Sequence, residues 1–289
     1  MSSPQPRRGH CLLRCPLCKS ELTAAAGALV CRNRHRFDLA REGYVNLLRE
    51  RRRQPAAGGD GVTQLRHRAE FLDAGHLDGI TTAIAERFAE LNARRQLCRL
   101  CILDAGSGTG HHLARLAAAL ARPVIGLGLD ISRDATRQAS RRWPTLAFAV
   151  SDLWAEWPVR DTAVDLVVSI FAPKNVPEAA RVLRPGGWLV LGYPGPDHLI
   201  ELQRRFGLLR QREGNARRYR EIAQRVVGRT LAVPLRSRVV LDRAAMRAAV
   251  LMGPNAHHLD PSILDVELES IAVTIDINLL FAQKPGSIP

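Results

Sequence analysis

The chain has 289 residues, of which 46% are hydrophobic and 24% charged, and its formal net charge is +14. A chain of this size and composition can bury a substantial core, which excludes a disordered or fibrous protein. No apolar run approaches the roughly 20 residues of a membrane-spanning helix and no secretory signal is evident, so we expect a cytoplasmic protein with no membrane partner.

The positive charge is concentrated in two segments. Residues 1–53 contain twelve Lys/Arg against four Asp/Glu, residues 203–225 contain eight Arg against two Glu, and the rest of the chain carries 22 charges of each sign. Clustered arginine indicates a polyanionic partner such as nucleic acid, because guanidinium groups bind phosphate and stack on bases. The chain has only three lysines, so a compositional bias is an alternative explanation for the residue type, although not for the clustering.

The first predicted element is a small zinc-binding module. Cys15 and Cys18 form a C-x2-C pair, and twelve residues later Cys31 and His35 form a C-x3-H pair. Zinc favours such a Cys3His set, which fills a tetrahedron and is therefore structural rather than catalytic. Ordinary unligated cysteines are the alternative, and Cys11 is a potential competing ligand.

Short strands around residues 29–30 and 37–38 are expected within this module. Residues 49–62 are typical of a flexible loop, since a charged run is followed by Pro and Gly. Apolar residues then recur at helical spacing over residues 64–93, with a break near residues 75–76.

Two further cysteines, Cys98 and Cys101, also form a C-x2-C pair, but no second ligand pair follows them at metal spacing. They flank the start of a predicted strand, and we interpret both as small core residues. The zinc-ligand pattern suits a reducing compartment, so disulfides are not expected.

The middle of the chain predicts a doubly wound parallel sheet. A strand at 100–103 leads into the turn D-A-G-S-G-T-G and a helix, and further strands then alternate with helices. Residues 197–227 and 242–252 are predicted to be helical, 231–241 to be a strand, and 273–282 to pair antiparallel at the sheet edge. The other predicted strands are 124–129, 146–150, 164–170 and 187–193.

An acid follows each of three successive predicted strands: Asp104, Asp130 and Asp152. The carboxyl ends of parallel strands open on one crevice, so the three carboxylates are expected to face a common ligand. Glycine-rich turns serve NAD, FAD and S-adenosylmethionine alike. An acid before the glycines favours S-adenosylmethionine, whose amino group needs a counter-charge, over a dinucleotide, whose pyrophosphate approaches the helix N-terminus.

In this interpretation Asp104 binds the amino group, Asp130 the ribose hydroxyls and Asp152 the adenine amino group. A helix N-cap is the alternative role for Asp130 and for Asp152. A tight turn close to the ligand requires residues without a side chain, which the chain supplies at Gly106, Gly108 and Gly110.

The order of the motifs resembles one family along nearly the whole chain. The zinc ligands are followed by E-G-Y-V-N-L-L (42–48), F-L-D-A-G-H (71–76), D-A-G-S-G-T-G (104–110) and F-A-P-K-N (171–175). This combination is similar to the RlmA/TlrB type of 23S rRNA guanine-N1 methyltransferases. The pieces G-H-H-L-A-R and M-G-P-N-A-H-H resemble the actinobacterial, macrolide-resistance-associated branch.

The resemblance implies methylation of a guanine in a 23S rRNA hairpin loop that lines the peptide exit tunnel. It also implies a homodimer whose zinc module helps to bind RNA, and cofactor contacts at Gly108, Thr109, Leu77 and His198. The family often has Tyr in place of Leu77, so only a backbone or packing contact is expected there. A helix-start histidine without a ligand is the alternative for His198.

The F-A-P-K-N turn occupies the place where many base methyltransferases bind their target. Phe171 would stack on guanine, Lys174 would stabilise the O6/N1 anion, and Asn175 would bond the base edge. A purely solvated charge is the alternative for Lys174. Guanine N1 must lose its proton before it attacks a methyl group, and no residue is an obvious general base.

We therefore predict an α/β protein with a Rossmann-like S-adenosylmethionine-dependent methyltransferase sheet and an N-terminal zinc-binding module. The predicted division is a zinc-binding RNA-recognition module at 1–48, a flexible loop and helical linker at 49–98, and the methyltransferase domain at 99–289. Two other functions stay open: a small-molecule methyltransferase with a structural zinc module, and a non-catalytic zinc RNA-binding protein. The basic clusters argue against the first, and the intact acids and glycines against the second.

Overall fold

A small three-stranded antiparallel sheet forms the N-terminal module of the computed structural model, preceded by a 3-10 helix at Arg8–Leu12. Its strands are β1 (Leu22–Ala25), β2 (Ala28–Cys31) and β3 (Arg36–Asp38), so the two predicted short strands are present. The structure describes residues 4–48, 61–93, 97–208, 215–253, 256, 259–264 and 269–286. The predicted flexible loop lies mostly outside these residues.

Two helices follow, α1 (Val62–Asp73) and α2 (Asp78–Leu91). The predicted break between them is present, and Gly75 adopts the left-handed region there with φ +79°. Buried side chains of both helices belong to the same hydrophobic cluster as the central sheet.

An eight-stranded sheet is the centre of the fold, and its strands alternate with helices. The strands are β4 (Val45–Asn46), β5 (Leu100–Ala105), β6 (Val124–Asp130), β7 (Ala147–Val150), β8 (Val164–Ile170), β9 (Leu183–Pro194), β10 (Arg229–Asp242) and β11 (Ser270–Gln283). They lie in the order β10-β11-β9-β8-β5-β6-β7-β4. Strands β4 to β9 are parallel, and the chain reverses direction across the sheet at β5, which is where such folds bind ligands.

The C-terminal strand β11 is antiparallel to β9, as predicted, but it does not form the sheet edge. It inserts between β9 and β10, and β10 is the edge strand. The burial of the two strands explains this order, because β11 is mostly buried whereas β10 is mostly exposed. Pro234 in β10 lacks an N–H donor, which suits an edge position.

Side chains that alternate along β5 point to two hydrophobic clusters on opposite faces of the sheet. Leu100 and Ile102 belong to one cluster, and Cys101 and Leu103 to the other. Cys101 is thus a core residue as predicted, but Cys98 is exposed before the strand begins, so the prediction for Cys98 was wrong. The remaining helices are α3 (His111–Ala119), α4 (Arg133–Arg142), α5 (Val176–Val182), α6 (Ile200–Phe206), α7 (Asn215–Val226) and α8 (Arg243–Leu251).

The N-terminal module is packed directly on the central sheet. A Cβ on Gly9 would lie 2.1 Å from the carbonyl oxygen of Gly126, and the Arg7 guanidinium donates to the carbonyls of Leu146 (2.8 Å) and Ser140 (2.9 Å). Strand β4 pairs with β7. The division of the chain at residues 48 and 98 remains a prediction. None of the described helices is long and apolar enough to cross a membrane.

Candidate functional site

The four predicted zinc ligands meet at one point in the N-terminal module. Their ligand atoms all lie within 4.8 Å of one another. His35 Nδ1 is 3.4 Å from the Sγ atoms of Cys15 and Cys31, and Cys18 Sγ is 3.6 Å from Cys31 Sγ. Zn–S and Zn–N bonds of about 2.3 and 2.0 Å at tetrahedral angles place the ligand atoms roughly 3.5 to 3.8 Å apart. The arrangement therefore fits a zinc ion held by three thiolates and the Nδ1 atom of one imidazole.

Two tight turns bring each ligand pair to the same side. The Lys19 N–H donates to the Cys15 carbonyl (2.9 Å) and the Arg34 N–H to the Cys31 carbonyl (2.8 Å). Lys19 and Arg34 have φ values of +65° and +61°, a conformation that costs a non-glycine residue about 1–2 kcal/mol. Metal coordination would offset that cost.

Ser20 is a supporting residue that the sequence analysis missed, since its hydroxyl lies 3.0 Å from Cys18 Sγ. A hydroxyl group at this distance can donate to a thiolate and orient it toward the metal. Cys11, the potential competitor, is exposed and is not among the four clustered ligands.

The glycine-rich turn after β5 forms the floor of the second site. All three glycines have positive φ, and a Cβ on Gly106 would lie 2.1 Å from the Cβ of Ala172, while one on Gly110 would lie 2.8 Å from the Phe148 ring. Apart from its chain neighbours, no atom of the described residues lies within 4 Å of the Cβ position of Gly108. Packing thus demands glycine at the two outer positions, whereas the backbone at Gly108 borders open space that a ligand can approach.

Asp104 lies at the end of β5 and is only 2% exposed. Its Oδ2 atom has no hydrogen-bond partner among the described residues, and burial together with the Asp130 carboxylate raises the pKa of Asp104 to about 7. An unpaired buried carboxylate oxygen is costly and calls for a partner. A ligand ammonium group would supply it and would restore the ionised form. Ser107 Oγ and Thr109 Oγ1 are likewise buried without a partner in the described part of the chain.

Asp130 ends β6 and braces the glycine-rich turn. Its Oδ2 accepts the Gly108 N–H and its Oδ1 accepts the Ser132 N–H, both at 2.8 Å. The N-cap of α4 is Ser132, whose hydroxyl accepts from the Ala135 N–H, so the N-cap alternative for Asp130 was wrong. A carboxylate oxygen can accept more than one hydrogen bond, and the contact of Asp130 with the ribose stays a prediction.

Asp152 follows β7 and is 6% exposed. Its Oδ1 accepts the Trp154 N–H at 2.9 Å. No helix begins there, because the next helix along the described chain is α5, so the N-cap alternative was wrong here too. The carboxylate shapes the loop that leaves the sheet beside the crevice.

His198 lies just after β9 and is partly buried. Its Nδ1 accepts the Asp276 N–H at 3.3 Å, its ring stacks on Phe171 with a centroid separation of 5.9 Å, and burial lowers its pKa to about 4. The imidazole is therefore neutral near pH 7, and it supports the Phe171 ring.

Leu77 is 3% exposed and packs in the hydrophobic cluster between α1 and α2. Its predicted cofactor contact stays a prediction. A cluster that the sequence analysis missed links the turn at Leu77 to the glycine-rich segment. His111, the first residue of α3, lies 3.6 Å from Asp73 Oδ1 and 3.5 Å from Asp78 Oδ1. Two features of the sequence could have indicated this cluster: the acids on either side of G-H-L (75–77), and the two histidines that follow Gly110.

The F-A-P-K-N turn packs on the glycine-rich turn through the Gly106–Ala172 contact. Phe171 is 42% exposed, with φ +52°. Lys174 Nζ donates to the Ser169 and Ala172 carbonyls, both at 2.8 Å. Burial lowers the pKa of Lys174 to about 7, and the nearby Asp104 carboxylate opposes that change. Lys174 is therefore not a solvated surface charge.

Asn175 has its amide engaged within the protein. Its Oδ1 accepts the Glu178 N–H (3.4 Å) and caps α5, while Nδ2 donates to the carbonyls of Leu153 (3.0 Å) and Ala155 (3.3 Å). A bond from Asn175 to a base edge would have to replace one of these. Its predicted base contact stays a prediction.

The doubly wound sheet, the glycine-rich turn with its buried acids and the Cys3His cluster define an S-adenosylmethionine-dependent methyltransferase with an N-terminal zinc ribbon. Two family models agree with this class. The model of the RlmA N-terminal zinc ribbon matches residues 13–52, and a methyltransferase domain model matches residues 102–187.

Whole-chain comparisons define the family. The chain is 40% identical over 258 residues to the 23S rRNA (guanine(748)-N(1))-methyltransferase of Streptomyces fradiae, covering 87% of this chain and 88% of that protein. A putative 23S rRNA (guanine-N(1)-)-methyltransferase of Micromonospora griseorubida is 37% identical over 92% of this chain and 93% of its own. One from Bacillus subtilis is 33% identical over 94% of this chain and 97% of its own.

The chain belongs to the 23S rRNA (guanine-N1)-methyltransferase family. The predicted family and fold class are thereby confirmed, and S-adenosylmethionine and zinc are confirmed as the cofactors of this architecture.

Proposed function

We propose that this protein methylates N1 of a guanine in a hairpin loop of 23S rRNA near the peptide exit tunnel. The observation that carries the proposal is the 40% identity, over 87% of the chain, to a relative named for guanine-N1 methylation of 23S rRNA. The presence of both a Cys3His cluster and an acid-lined glycine-rich crevice in one chain supports it.

The crevice offers a partner for each part of the cofactor. The unpaired Oδ2 of Asp104 suits the amino group, and the ribose hydroxyls and the adenine amino group are assigned to Asp130 and Asp152, the acids that follow the next two strands. The remaining proposed contacts are Leu77, Gly106, Gly108, Thr109, Gly110 and His198. When bound, S-adenosylmethionine supplies a methyl group as an electrophile.

The target guanine is proposed to stack on Phe171, whose ring is exposed and held from behind by His198. Lys174 would lie at the N1/O6 edge, where its ammonium form stabilises the negative charge that follows loss of the N1 proton. The side chain is fixed for this task by its two carbonyl acceptors. Asn175 would complete the edge contact, or would act only through the loop that it braces.

Exposed arginines lie on both elements that carry the excess charge. Arg32 and Arg34 are exposed on the zinc ribbon, and Arg218 and Arg220 on α7. Phosphate contacts from such residues would make RNA binding weaken steeply as salt increases. A small-molecule methyltransferase would show no such dependence.

Three further properties belong to the proposal: a cytoplasmic location, a homodimer and decreased macrolide binding by the modified ribosome. The exposed edge strand β10, with Val240 65% exposed, is a surface that a second copy could cover. Light scattering tests the dimer, and drug susceptibility of cells with and without the gene tests the resistance.

The decisive experiment compares 23S rRNA from cells with and without the gene by mass spectrometry and primer extension. A methyl group on N1 blocks Watson–Crick pairing, so one loop guanine should stop the reverse transcriptase only when the gene is present. Complementation with an Asp104→Ala variant should leave that position unmodified. If no rRNA position changes, the proposed function is refuted.

A further inference from the structure

Trp154 is the most exposed large apolar side chain in the described part of the chain, at 68%. It lies in the loop at residues 151–163, which joins β7 to β8. A tryptophan normally buries most of its large surface. An indole held in solvent on an ordered loop therefore indicates a surface that binds something else.

The backbone on both sides of Trp154 is fixed by hydrogen bonds. Its own N–H donates to Asp152 Oδ1 at 2.9 Å. The Asn175 amide donates to the carbonyls that flank the indole, Leu153 at 3.0 Å and Ala155 at 3.3 Å. The side chain that was predicted to read a base edge thus holds the loop that presents Trp154.

The end of the same loop is anchored to the core and to the zinc ribbon. Trp157 is 2% exposed, and its Nε1 donates to the Leu153 carbonyl at 3.0 Å. The Arg14 N–H donates to the Pro158 carbonyl at 3.0 Å, and Lys19, which follows the first zinc-ligand pair, forms an ion pair with Glu156. The loop therefore bridges the zinc ribbon and the cofactor crevice.

Two aromatic side chains are exposed in the described residues, and both follow carboxyl ends of parallel strands: Phe171 after β8 and Trp154 after β7. We propose that Trp154 binds RNA by stacking on an unpaired nucleobase next to the target guanine. This inference rests on the proposed function. A base is the favoured occupant because the loop is joined at one end to Asp152 beside the crevice and at the other to the zinc ribbon, a module on which Arg32 and Arg34 are exposed. Exposed arginines on that module can bind phosphates of the same RNA whose unpaired base stacks on the indole.

The test measures affinity for two RNA probes, a 23S rRNA hairpin with an unpaired loop and a blunt duplex of the same stem. Stacking on one aromatic side chain corresponds to a change of about 5- to 150-fold in Kd. Trp154→Ala should weaken hairpin binding by this factor and leave duplex binding unchanged, while Trp154→Phe should retain most of the hairpin affinity. Val62→Ala, which changes a side chain with a similar 60% exposure at the start of α1, is the matched control.

Calorimetry with S-adenosylhomocysteine verifies that each variant is folded. These variants should be folded, because surface substitutions usually change stability by no more than about 0.5 kcal/mol. Hairpin affinity of Trp154→Ala within twofold of the wild type would overturn the inference. An equal loss for hairpin and duplex, or a change of oligomeric state, would also overturn it and would assign the indole to a backbone or chain–chain contact. Wild-type protein that binds neither RNA would refute the proposed function itself.

Discussion

Replacing Asp130 with alanine should weaken both the fold and cofactor binding, because its carboxylate has two tasks. It accepts the N–H groups of Gly108 and Ser132 at 2.8 Å, and it is proposed to accept two ribose hydroxyls. A hydrogen bond to a charged group contributes about 1.5–3 kcal/mol, and neighbouring bonds are not additive. We therefore expect a loss of about 2–4 kcal/mol of unfolding free energy.

Asp130→Ala should also decrease cofactor affinity, and by more than distortion of the glycine-rich turn alone would cause. A loss of about 1.4 kcal/mol corresponds to a tenfold weaker Kd. Loss of both ribose hydrogen bonds therefore predicts a roughly 100-fold weaker Kd for S-adenosylhomocysteine. Removing the Asp130 charge also lowers the pKa of Asp104, which Asp130 helps to raise to about 7. That change would strengthen the amino-group contact near pH 7, so calorimetry is performed at pH 8.5, where Asp104 is ionised in both proteins.

Ser132→Ala is the matched control for this prediction. It removes the N-cap of α4, at a cost of about 1 kcal/mol, and the Ser132 side chain has no proposed contact with the cofactor. The unfolding free energy measured in urea should therefore decrease, whereas the Kd for S-adenosylhomocysteine should not change. RNA affinity should change little in either variant. If Asp130→Ala loses stability but binds S-adenosylhomocysteine like the wild type, the carboxylate is only a brace for the turn, and the assigned position of the ribose is wrong.

Three further predictions concern the metal, the base site and the RNA surface. Cys31→Ser should lose zinc, whose binding contributes on the order of 10–16 kcal/mol in isolated zinc modules. Metal analysis should show no bound zinc and rRNA methylation should be lost, whereas the Kd for S-adenosylhomocysteine should not change. A zinc-free variant that still methylates rRNA would contradict this prediction. Since burial lowers the pKa of Lys174 to about 7, its ammonium is present below that pH and lost above it. Single-turnover methylation at pH 8.5 should therefore be faster in Lys174→Arg than in Lys174→Met, and equal rates would exclude a role for the charge. Arg218→Glu combined with Arg220→Glu should weaken rRNA binding and flatten its salt dependence by about one unit of slope for each lost phosphate contact; an unchanged slope would place the RNA elsewhere.

Spacing along the chain was sufficient for features whose chemistry is local. The C-x2-C and C-x3-H pairs each close a single turn, so their ligands converge whatever the rest of the fold does. The acid before the glycines is equally local, because one strand end and one turn place Asp104 and Gly108 together. Such patterns also defined the family.

Spacing was not sufficient where a side chain interacts with residues far away in sequence. Asn175 was predicted to contact the base edge, which stays a prediction, but no local pattern indicated that its amide donates to the carbonyl of Leu153, 22 positions earlier. Ser132, rather than Asp130, proved to be the helix cap. Both residues stand near the start of α4, and the hydrogen bond to Gly108 that occupies Asp130 depends on the neighbouring strand.

The sequence by itself determined the zinc ligands, the alternation of strands and helices, and the acids at the ends of three strands, because these follow from turn geometry and hydrophobic periodicity within short windows. Only the tertiary structure decided that β11 lies inside the sheet, that His111 bridges two acids, and that Trp154 stands exposed on a braced loop. Strand order and exposure depend on which surfaces compete for burial across the whole chain, and no local pattern encodes the outcome of that competition.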